Sequence, residues 1–187
     1  MAKRPSDSFA GVFILIMKII IHDLNEQDFS SLGITGNDIE VINANDKFAP
    51  CTGCSGCWFK TPGTCKTNDG LKNFGALSGN SEEMVIISKN CYGGYSEAVK
   101  RVLDRSVPAC LPFFTYRSGK IKHRPRYNVK RKCLTVFLYG DFLEIEKDAA
   151  ERMVAANRIT KSFKEANLHI INDFSEIGAF LHEHTDY

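Results

Sequence analysis

The sequence has no stretch of about 20 consecutive apolar residues, which is the length that a helix needs to cross a bilayer. Its longest apolar region runs from residue 9 to residue 21 and is interrupted by Lys18. The sequence also lacks a strong excess of either charge, because 24 Lys and Arg face 22 Asp and Glu for a net charge of +2. Nucleic-acid binders depend on a much larger basic excess. We therefore expect neither a membrane nor a nucleic acid among the partners of this protein.

Several catalytic motifs are missing as well. The sequence contains no G-x-S-x-G, no H-E-x-x-H and no Walker pattern. These motifs supply the nucleophile of many hydrolases, a zinc-binding helix and the phosphate cradle of nucleoside triphosphatases. Hydrolase and NTPase chemistry therefore have no support in the sequence.

The composition is that of an ordinary globular protein. The chain has 187 residues, of which 43% are hydrophobic and 25% charged, so one domain can bury its own core. We predict an N-terminal extension over residues 1–16 and a single domain over residues 17–187. Seven cysteines, an odd number with four of them between residues 51 and 65, are typical of a reduced intracellular protein rather than a secreted disulfide framework. We therefore expect a cytoplasmic location.

Short continuous apolar runs bounded by turn residues predict strands that are buried on both faces of a parallel sheet. The predicted strands cover residues 18–22, 39–44, 84–88, 133–139 and 168–171. Helical spacing of apolar residues predicts helices over residues 71–77, 96–105 and 143–166. This alternation indicates an α/β doubly wound sheet, in which ligands bind beyond the carboxyl ends of the strands.

Four cysteines lie close together in the sequence. Cys51, Cys54, Cys57 and Cys65 have the spacing C-x2-C-x2-C-x7-C. Thiolates this close on a glycine-containing loop can converge on one soft metal centre, and four suffice for a [4Fe–4S] cluster or for tetrahedral zinc. The same residues can equally be free or disulfide-forming thiols beside a redox cofactor. The spacing leaves these three alternatives open.

Two segments carry a resemblance to a known family. Residues 50–69, with the four cysteines, resemble the cysteine loop of the NADPH-dependent FMN reductase and iron–sulfur flavoprotein superfamily. Residues 88–105, with the sequence Tyr92-Gly93-Gly94-Tyr95, look like the third-strand loop and following helix of that superfamily. The resemblance covers about residues 17–175. It implies a flavodoxin-like, three-layer α/β fold with five parallel strands in the order 2-1-3-4-5 and FMN at the point where this order reverses.

The resemblance also implies a site and an activity. The loop after the third strand would lie against the flavin ring, with Tyr92 near the ring and the backbone amides of Gly93 and Gly94 bonded to its polar edge. The implied cofactor-binding residues are Ser88, Asn90, Cys91, Tyr92, Gly93, Gly94 and Tyr95. The implied activity is that of a flavin-dependent oxidoreductase or electron-transfer protein, in which NAD(P)H reduces the flavin and an unidentified acceptor takes the electrons. A homodimer is expected by analogy.

The segment after the first strand departs from the family pattern. The family has a loop rich in Ser, Thr and Asn that holds the FMN phosphate at a helix N-terminus. Here Asp23, Glu26 and Asp28 put three carboxylates where a dianionic phosphate is expected, and like charges oppose binding. We therefore expect either weak FMN binding or a non-enzymatic binding or partner subunit that has kept the fold.

Residues 117–132 contain basic residues and no acidic one. The basic residues are Arg117, Lys120, Lys122, His123, Arg124, Arg126, Lys130, Arg131 and Lys132. We interpret this segment as a solvated loop between the third helix and the fourth strand. Alternatively, it folds over the flavin edge and replaces the missing phosphate loop, with Arg124 or Arg126 binding the phosphate bidentately.

Overall fold

The structure, a computed structural model, describes residues 18–117 and 119–183, so the predicted extension over residues 1–16 lies outside the described residues. The strands are β1 (Lys18–His22), β2 (Ile39–Asn43), β3 (Glu83–Lys89), β4 (Cys110–Arg117), β5 (Lys120–Pro125), β6 (Cys133–Tyr139) and β7 (Glu165–Ile171). The α-helices are α1 (Glu26–Ser31), α2 (Gly56–Phe59), α3 (Phe74–Asn80), α4 (Glu97–Asp104), α5 (Lys147–Thr160) and α6 (Glu176–Glu183). Two 3-10 turns cover Val107–Ala109 and Glu144–Glu146.

A five-stranded parallel sheet forms the centre of the molecule, in the order β2-β1-β3-β6-β7. Counted among the parallel strands alone, this order is 2-1-3-4-5, so the predicted flavodoxin-like fold class is confirmed. Each predicted parallel strand is present. The strand predicted at residues 168–171 begins three residues earlier, at Glu165.

The sheet is covered on both faces, as its continuous apolar runs predict. Ile19, Ile20 and Ile21 of β1 are all almost fully buried. Because successive side chains of a strand point to opposite faces, Ile19 and Ile21 pack in one cluster with Val99 of α4. Ile20 packs in a second cluster with Ile177 of α6. These two layers fix the helices around the sheet and leave its carboxyl edge to the loops.

The basic segment is not the loop that we predicted. Residues 120–125 form β5, which pairs antiparallel with β4 in a separate two-stranded sheet. Phe113, Phe114 and Tyr116 of β4 are exposed, so this hairpin has no buried apolar run. The prediction missed it because the buried-strand pattern recognises only strands that are covered on both faces.

The three predicted helices are present and differ from the prediction at their ends, whereas α1, α2 and α6 are not among the predicted helices. α3 begins at Phe74 rather than at residue 71. α5 ends at Thr160 and is preceded by the 3-10 turn Glu144–Glu146, so it is shorter than the predicted helix over residues 143–166. No helix in the described part of the chain is both long and apolar enough to span a membrane.

Candidate functional site at the carboxyl edge of the sheet

The strand order reverses between β1 and β3. The chain leaves β1 towards β2 on one side, and β3 pairs with the other side of β1. In open α/β sheets this is where the loops diverge and a ligand has room to bind. The loops after His22, Lys89 and Tyr139 meet here, so they define the candidate site.

The loop after β3 is a tight turn. The backbone N–H groups of Cys91 and Gly94 donate to each other's carbonyl oxygens at 3.0 and 2.9 Å. Between them, Tyr92 and Gly93 have φ values of 53° and 76°, the left-handed pair that such turns require. The Tyr92 side chain is 86% exposed. The turn therefore presents an aromatic ring at the edge of the sheet.

Gly93 packs against the protein itself. Its N–H donates to Asn90 Oδ1 at 3.0 Å, and Asn90 Nδ2 donates to Glu146 Oε2 at 2.7 Å. A Cβ atom on Gly93 would lie 2.5 Å from the Glu146 carbonyl oxygen. The amides of Gly93 and Gly94, which we expected to bond the flavin, therefore have partners within the protein. The glycine is required for the close approach to the turn before α5.

Three of the predicted cofactor-binding residues lie in the interior. Ser88 is buried, and its Oγ accepts a hydrogen bond from the Ser96 N–H at 2.8 Å. Tyr95 is also buried, its hydroxyl accepts from Asn157 Nδ2 at 3.2 Å, and burial raises its pKa. These two side chains anchor the ends of the turn. Gly93 is buried between them, whereas the rest of the turn is half-buried or exposed.

Asp23 joins the three loops of the edge. Its carboxylate accepts from the Lys89 N–H at 3.0–3.1 Å and from the Tyr139 hydroxyl at 3.0 Å. Burial, followed by the nearby Asp23 carboxylate, raises the pKa of Tyr139. The sequence pattern places Asp23 at the end of a strand, as an unfavourable charge for a phosphate. Its partners lie far along the chain, so no local signal indicated that it ties the edge together.

The expected phosphate position is built from acidic groups. α1 has six residues, with Glu26 and Asp28 in its first turn. The Asn25 Oδ1 accepts from the Asp28 N–H at 2.8 Å, so the protein already caps this helix. A flavin ring has an open aromatic surface at Tyr92, whereas a phosphate dianion finds carboxylates. The ring end of FMN therefore fits this edge, and the phosphate end does not.

The four clustered cysteines line a separate, small cavity of about 180 Å³. Its wall includes Arg105 and Pro108, and none of the residues 88–95 belongs to it. Among the described residues, no three His, Cys, Asp or Glu side chains are grouped to hold a metal ion. The geometry therefore gives the predicted metal ligands Cys51, Cys54, Cys57 and Cys65 no support as a cluster or zinc site.

The thiols in this cavity differ in acidity. The Gly56 backbone N–H is the main cause that lowers the pKa of the exposed Cys54 thiol. Burial, followed by the neighbouring Cys65, raises the pKa of Cys57. The exposed thiol of the Cys54-Ser-Gly-Cys57 segment is thus the more readily ionised one, and thiolate character governs thiol reactivity.

Arg105 fixes the cysteine segment to the end of α4. Its guanidinium donates to both carboxylate oxygens of Asp69 at 2.8 Å and to the Ala49 carbonyl at 2.7 Å. The Arg105 side chain is fully buried and holds the pKa of Asp69 below its usual range. Since Ala49 and Asp69 flank the four cysteines in the sequence, this ion pair closes the cysteine segment at its base.

Comparison with known proteins shows similarity at the level of the fold. No protein family and no curated protein matches the chain. An FMN-dependent NADH-azoreductase from Bacillus anthracis, solved with FMN, is 14% identical with a TM-score of 0.54 and matches over 89% of this chain and 93% of that one. An NAD(P)H:quinone oxidoreductase from Methanothermobacter marburgensis is 11% identical with a TM-score of 0.51, over 88% and 94%. The chain thus has the flavodoxin-like α/β fold that these proteins have.

Proposed function

We propose that this protein is a flavin-dependent NAD(P)H oxidoreductase that holds its flavin mainly by the ring. The observation that carries the proposal is the turn after β3, which exposes Tyr92 at the point where the strand order reverses. Similar folds occur in an FMN-dependent azoreductase and an NAD(P)H:quinone oxidoreductase. A bound flavin would supply hydride and electron transfer, while the protein binds and orients it.

We expect the protein to bind riboflavin at least as tightly as FMN. The three carboxylates of Asp23, Glu26 and Asp28 oppose a phosphate dianion. Riboflavin, which has the same ring and no phosphate, avoids this repulsion. FMN is therefore expected to bind no more tightly than riboflavin, although a phosphate normally gains affinity from charge-assisted hydrogen bonds.

We propose that the cysteines of this segment take part in the same electron transfer and that they do so as thiols. Electrons from the reduced flavin would pass to an unidentified acceptor. A disulfide between Cys54 and Cys57 would take two electrons and two protons from the reduced flavin and become a dithiol, and the lowered pKa of Cys54 favours thiol exchange at this residue. A homodimer and an iron–sulfur cluster belong to the resemblance and remain predictions. Iron and acid-labile sulfide measurements on anaerobically purified protein test the cluster.

Flavin titration tests the main proposal. The flavin fluorescence of riboflavin and of FMN is followed as protein is added, together with NADH and NADPH oxidation. Tyr92→Leu is expected to weaken both flavins by about two- to tenfold, because an aromatic pair contributes ~0.5–1.5 kcal/mol beyond its buried area. Tyr116→Leu, at a tyrosine equally exposed on the hairpin, is the control and should change neither affinity.

A charge variant tests the preference. Glu26→Gln removes an exposed carboxylate of α1 and should improve FMN binding while leaving riboflavin unchanged. Tight FMN binding by the wild-type protein together with negligible riboflavin binding would contradict the proposal, since it would require a phosphate site elsewhere.

A second candidate function is a non-enzymatic binding or partner subunit. The observation in its favour is that the N–H groups of Gly93 and Gly94 already have partners within the turn. A colourless protein that binds neither flavin at millimolar concentration and oxidises no NAD(P)H would select this candidate.

A further inference from the structure

A cavity of about 1290 Å³ lies between the β4–β5 hairpin, α4 and α5. Its apolar wall includes the aromatic side chains of Tyr95, Phe114 and Phe163. Its basic side chains are Lys100, Lys122, Lys130, Arg131, Lys161 and Lys164. Asp104 is the one acidic residue among the described residues of this wall, and its carboxylate pairs with Lys100. The cavity thus combines aromatic surface with a cationic excess.

The cationic end of the cavity lies at the amino edge of the sheet, opposite the flavin edge. The Lys132 N–H donates to the Glu82 carbonyl just before β3, and the Lys164 N–H donates to the Arg131 carbonyl just before β6. This places residues 131–132 at the start of the parallel strands. Our expectation that the basic segment folds over the flavin edge is therefore wrong for this part of it.

Arg131 is mostly buried without a carboxylate partner in the described part of the chain. Its guanidinium stacks 3.9 Å from the centre of the Phe163 ring and donates to Ser81 Oγ at 3.1 Å and the Lys161 carbonyl at 3.3 Å. Its Nε has no partner. All its contacts are neutral, and burial lowers its pKa to about 10.

Lys161 lies beside Arg131 and is a second cation with neutral hydrogen-bond partners. Its Nζ donates to Ser106 Oγ at 2.9 Å, and no described carboxylate pairs with it. Burial, followed by repulsion from Arg131, lowers its pKa to about 8. The negative C-terminal end of α5 offsets part of this charge, because the Arg131 guanidinium donates to the Lys161 carbonyl. Arg131 and Lys161 are two neighbouring, partly buried cations that form no ion pair with a described carboxylate. This arrangement carries an energetic cost, which a bound anion would lower.

We propose that this cavity is a second ligand site, which binds a phosphate monoester with an aromatic body. Arg131 and Lys161 would hold the phosphate by charge-assisted hydrogen bonds, and Lys130 at the rim would add attraction. The aromatic side chains of the wall would cover the body of the ligand. A site of this kind uses the fork of donors that an arginine offers to phosphate oxygens. The proposal does not depend on flavin binding at the other edge.

Calorimetric titration of the full chain tests the proposal with three probes. AMP carries both the phosphate and an aromatic body, adenosine carries the body alone, and inorganic phosphate carries the charge alone. We expect AMP to bind at least about tenfold more tightly than either fragment, because charge-assisted contacts are the strong ones. We also expect its affinity to fall as salt is added. Equal affinity for AMP and adenosine, or no AMP binding at millimolar concentration, would overturn the proposal.

Variants locate the bound phosphate. Arg131→Met and Lys161→Met should each weaken AMP by about tenfold or more, and Lys130→Met, at an exposed position, gives a smaller loss without a risk to folding. Arg124→Met is the matched control, because Arg124 is exposed on β5 and does not line the cavity. Unchanged AMP affinity in all three cavity variants would contradict the site even if AMP binds. Since riboflavin has no phosphate, its fluorescence reports the carboxyl edge separately from this cavity, and either proposal can fail alone.

Discussion

Two arginines, one fully buried and the other partly buried, have different surroundings in this molecule. Arg105, below the cysteine segment, meets Asp69 in a bidentate ion pair. Arg131, at the amino edge of the sheet, meets an aromatic ring, a hydroxyl and a carbonyl. A buried charge with its counter-ion is part of the folded structure, whereas one without it is left for a ligand or tolerated at a cost. By this comparison, Arg105 is a structural cation, and Arg131 is the cation that we propose binds a ligand.

The largest expected effect is the removal of the counter-ion of Arg105. Asp69→Asn should destabilise the protein by about 3 kcal/mol, because it leaves the fully buried guanidinium without a charge partner. Urea denaturation measures the free energy of unfolding. Asp148→Asn breaks the exposed Asp148–Arg152 pair on α5 and should cost no more than about 0.5 kcal/mol. Similar losses in both variants would mean that burial does not distinguish Arg105.

A pattern in one stretch of sequence was enough to predict the sheet. The runs at β1, β3 and β6 are apolar without alternation, and that signal depends only on adjacent residues. The hairpin was missed because residues such as Phe114 and Tyr116 are exposed, so its strands lack the buried pattern. The positive charge of residues 117–132 is evident from the sequence. The position of these residues beside α5 is not, because it depends on where β6 and β7 begin.

The candidate site was predictable only as a location. Strand order places it at the carboxyl edge, and the Tyr-Gly-Gly-Tyr sequence indicates a turn there. The reason for Gly93 lies 53 positions away at Glu146, and Arg131 and Lys161 meet from segments 30 residues apart. Contacts of this kind follow from packing, and a single sequence does not encode them as a local pattern.

The second prediction concerns the turn after β3. Gly93→Ala should destabilise the protein by about 2 kcal/mol, since a left-handed φ costs ~1–2 kcal/mol for a side chain and the new Cβ would collide with the Glu146 carbonyl. Gly53→Ala is the control, because Gly53 has a φ of 64° and open space around its Cβ position. Its loss should be about 1 kcal/mol. Both unfolding free energies are measured without flavin. Equal losses of stability in Gly93→Ala and Gly53→Ala would show that Gly93 is not required for packing.

The third prediction uses pH to test the uncompensated cation. Burial lowers the pKa of Lys161 to about 8 from its usual value near 10.5. Between these values the unfolded chain binds more protons than the folded protein, so the stability contributed by this site rises with pH across that window. From pH 8 to pH 10, the unfolding free energy of the wild type should increase relative to that of Lys161→Met by an amount on the order of 1 kcal/mol. Because the Cys110 thiol interacts electrostatically with Lys161, both proteins carry Cys110→Ser. A constant difference would contradict the lowered pKa.

The smallest expected change in stability is at Arg131 itself. Arg131→Met keeps an apolar chain against Phe163 and removes a cation that pairs with no described carboxylate. Ser81 Oγ still donates to the Ser78 carbonyl, so the main group left behind is the Lys161 carbonyl. Removing the positive neighbour also raises the pKa of Lys161 towards its usual range. Lost hydrogen bonds and relieved repulsion oppose each other, and the free energy of unfolding should change by less than about 1 kcal/mol.

Urea denaturation of this variant beside Asp69→Asn makes the comparison directly. A loss near 3 kcal/mol at Arg131 would place both arginines in the structural class and remove the physical basis for the phosphate site.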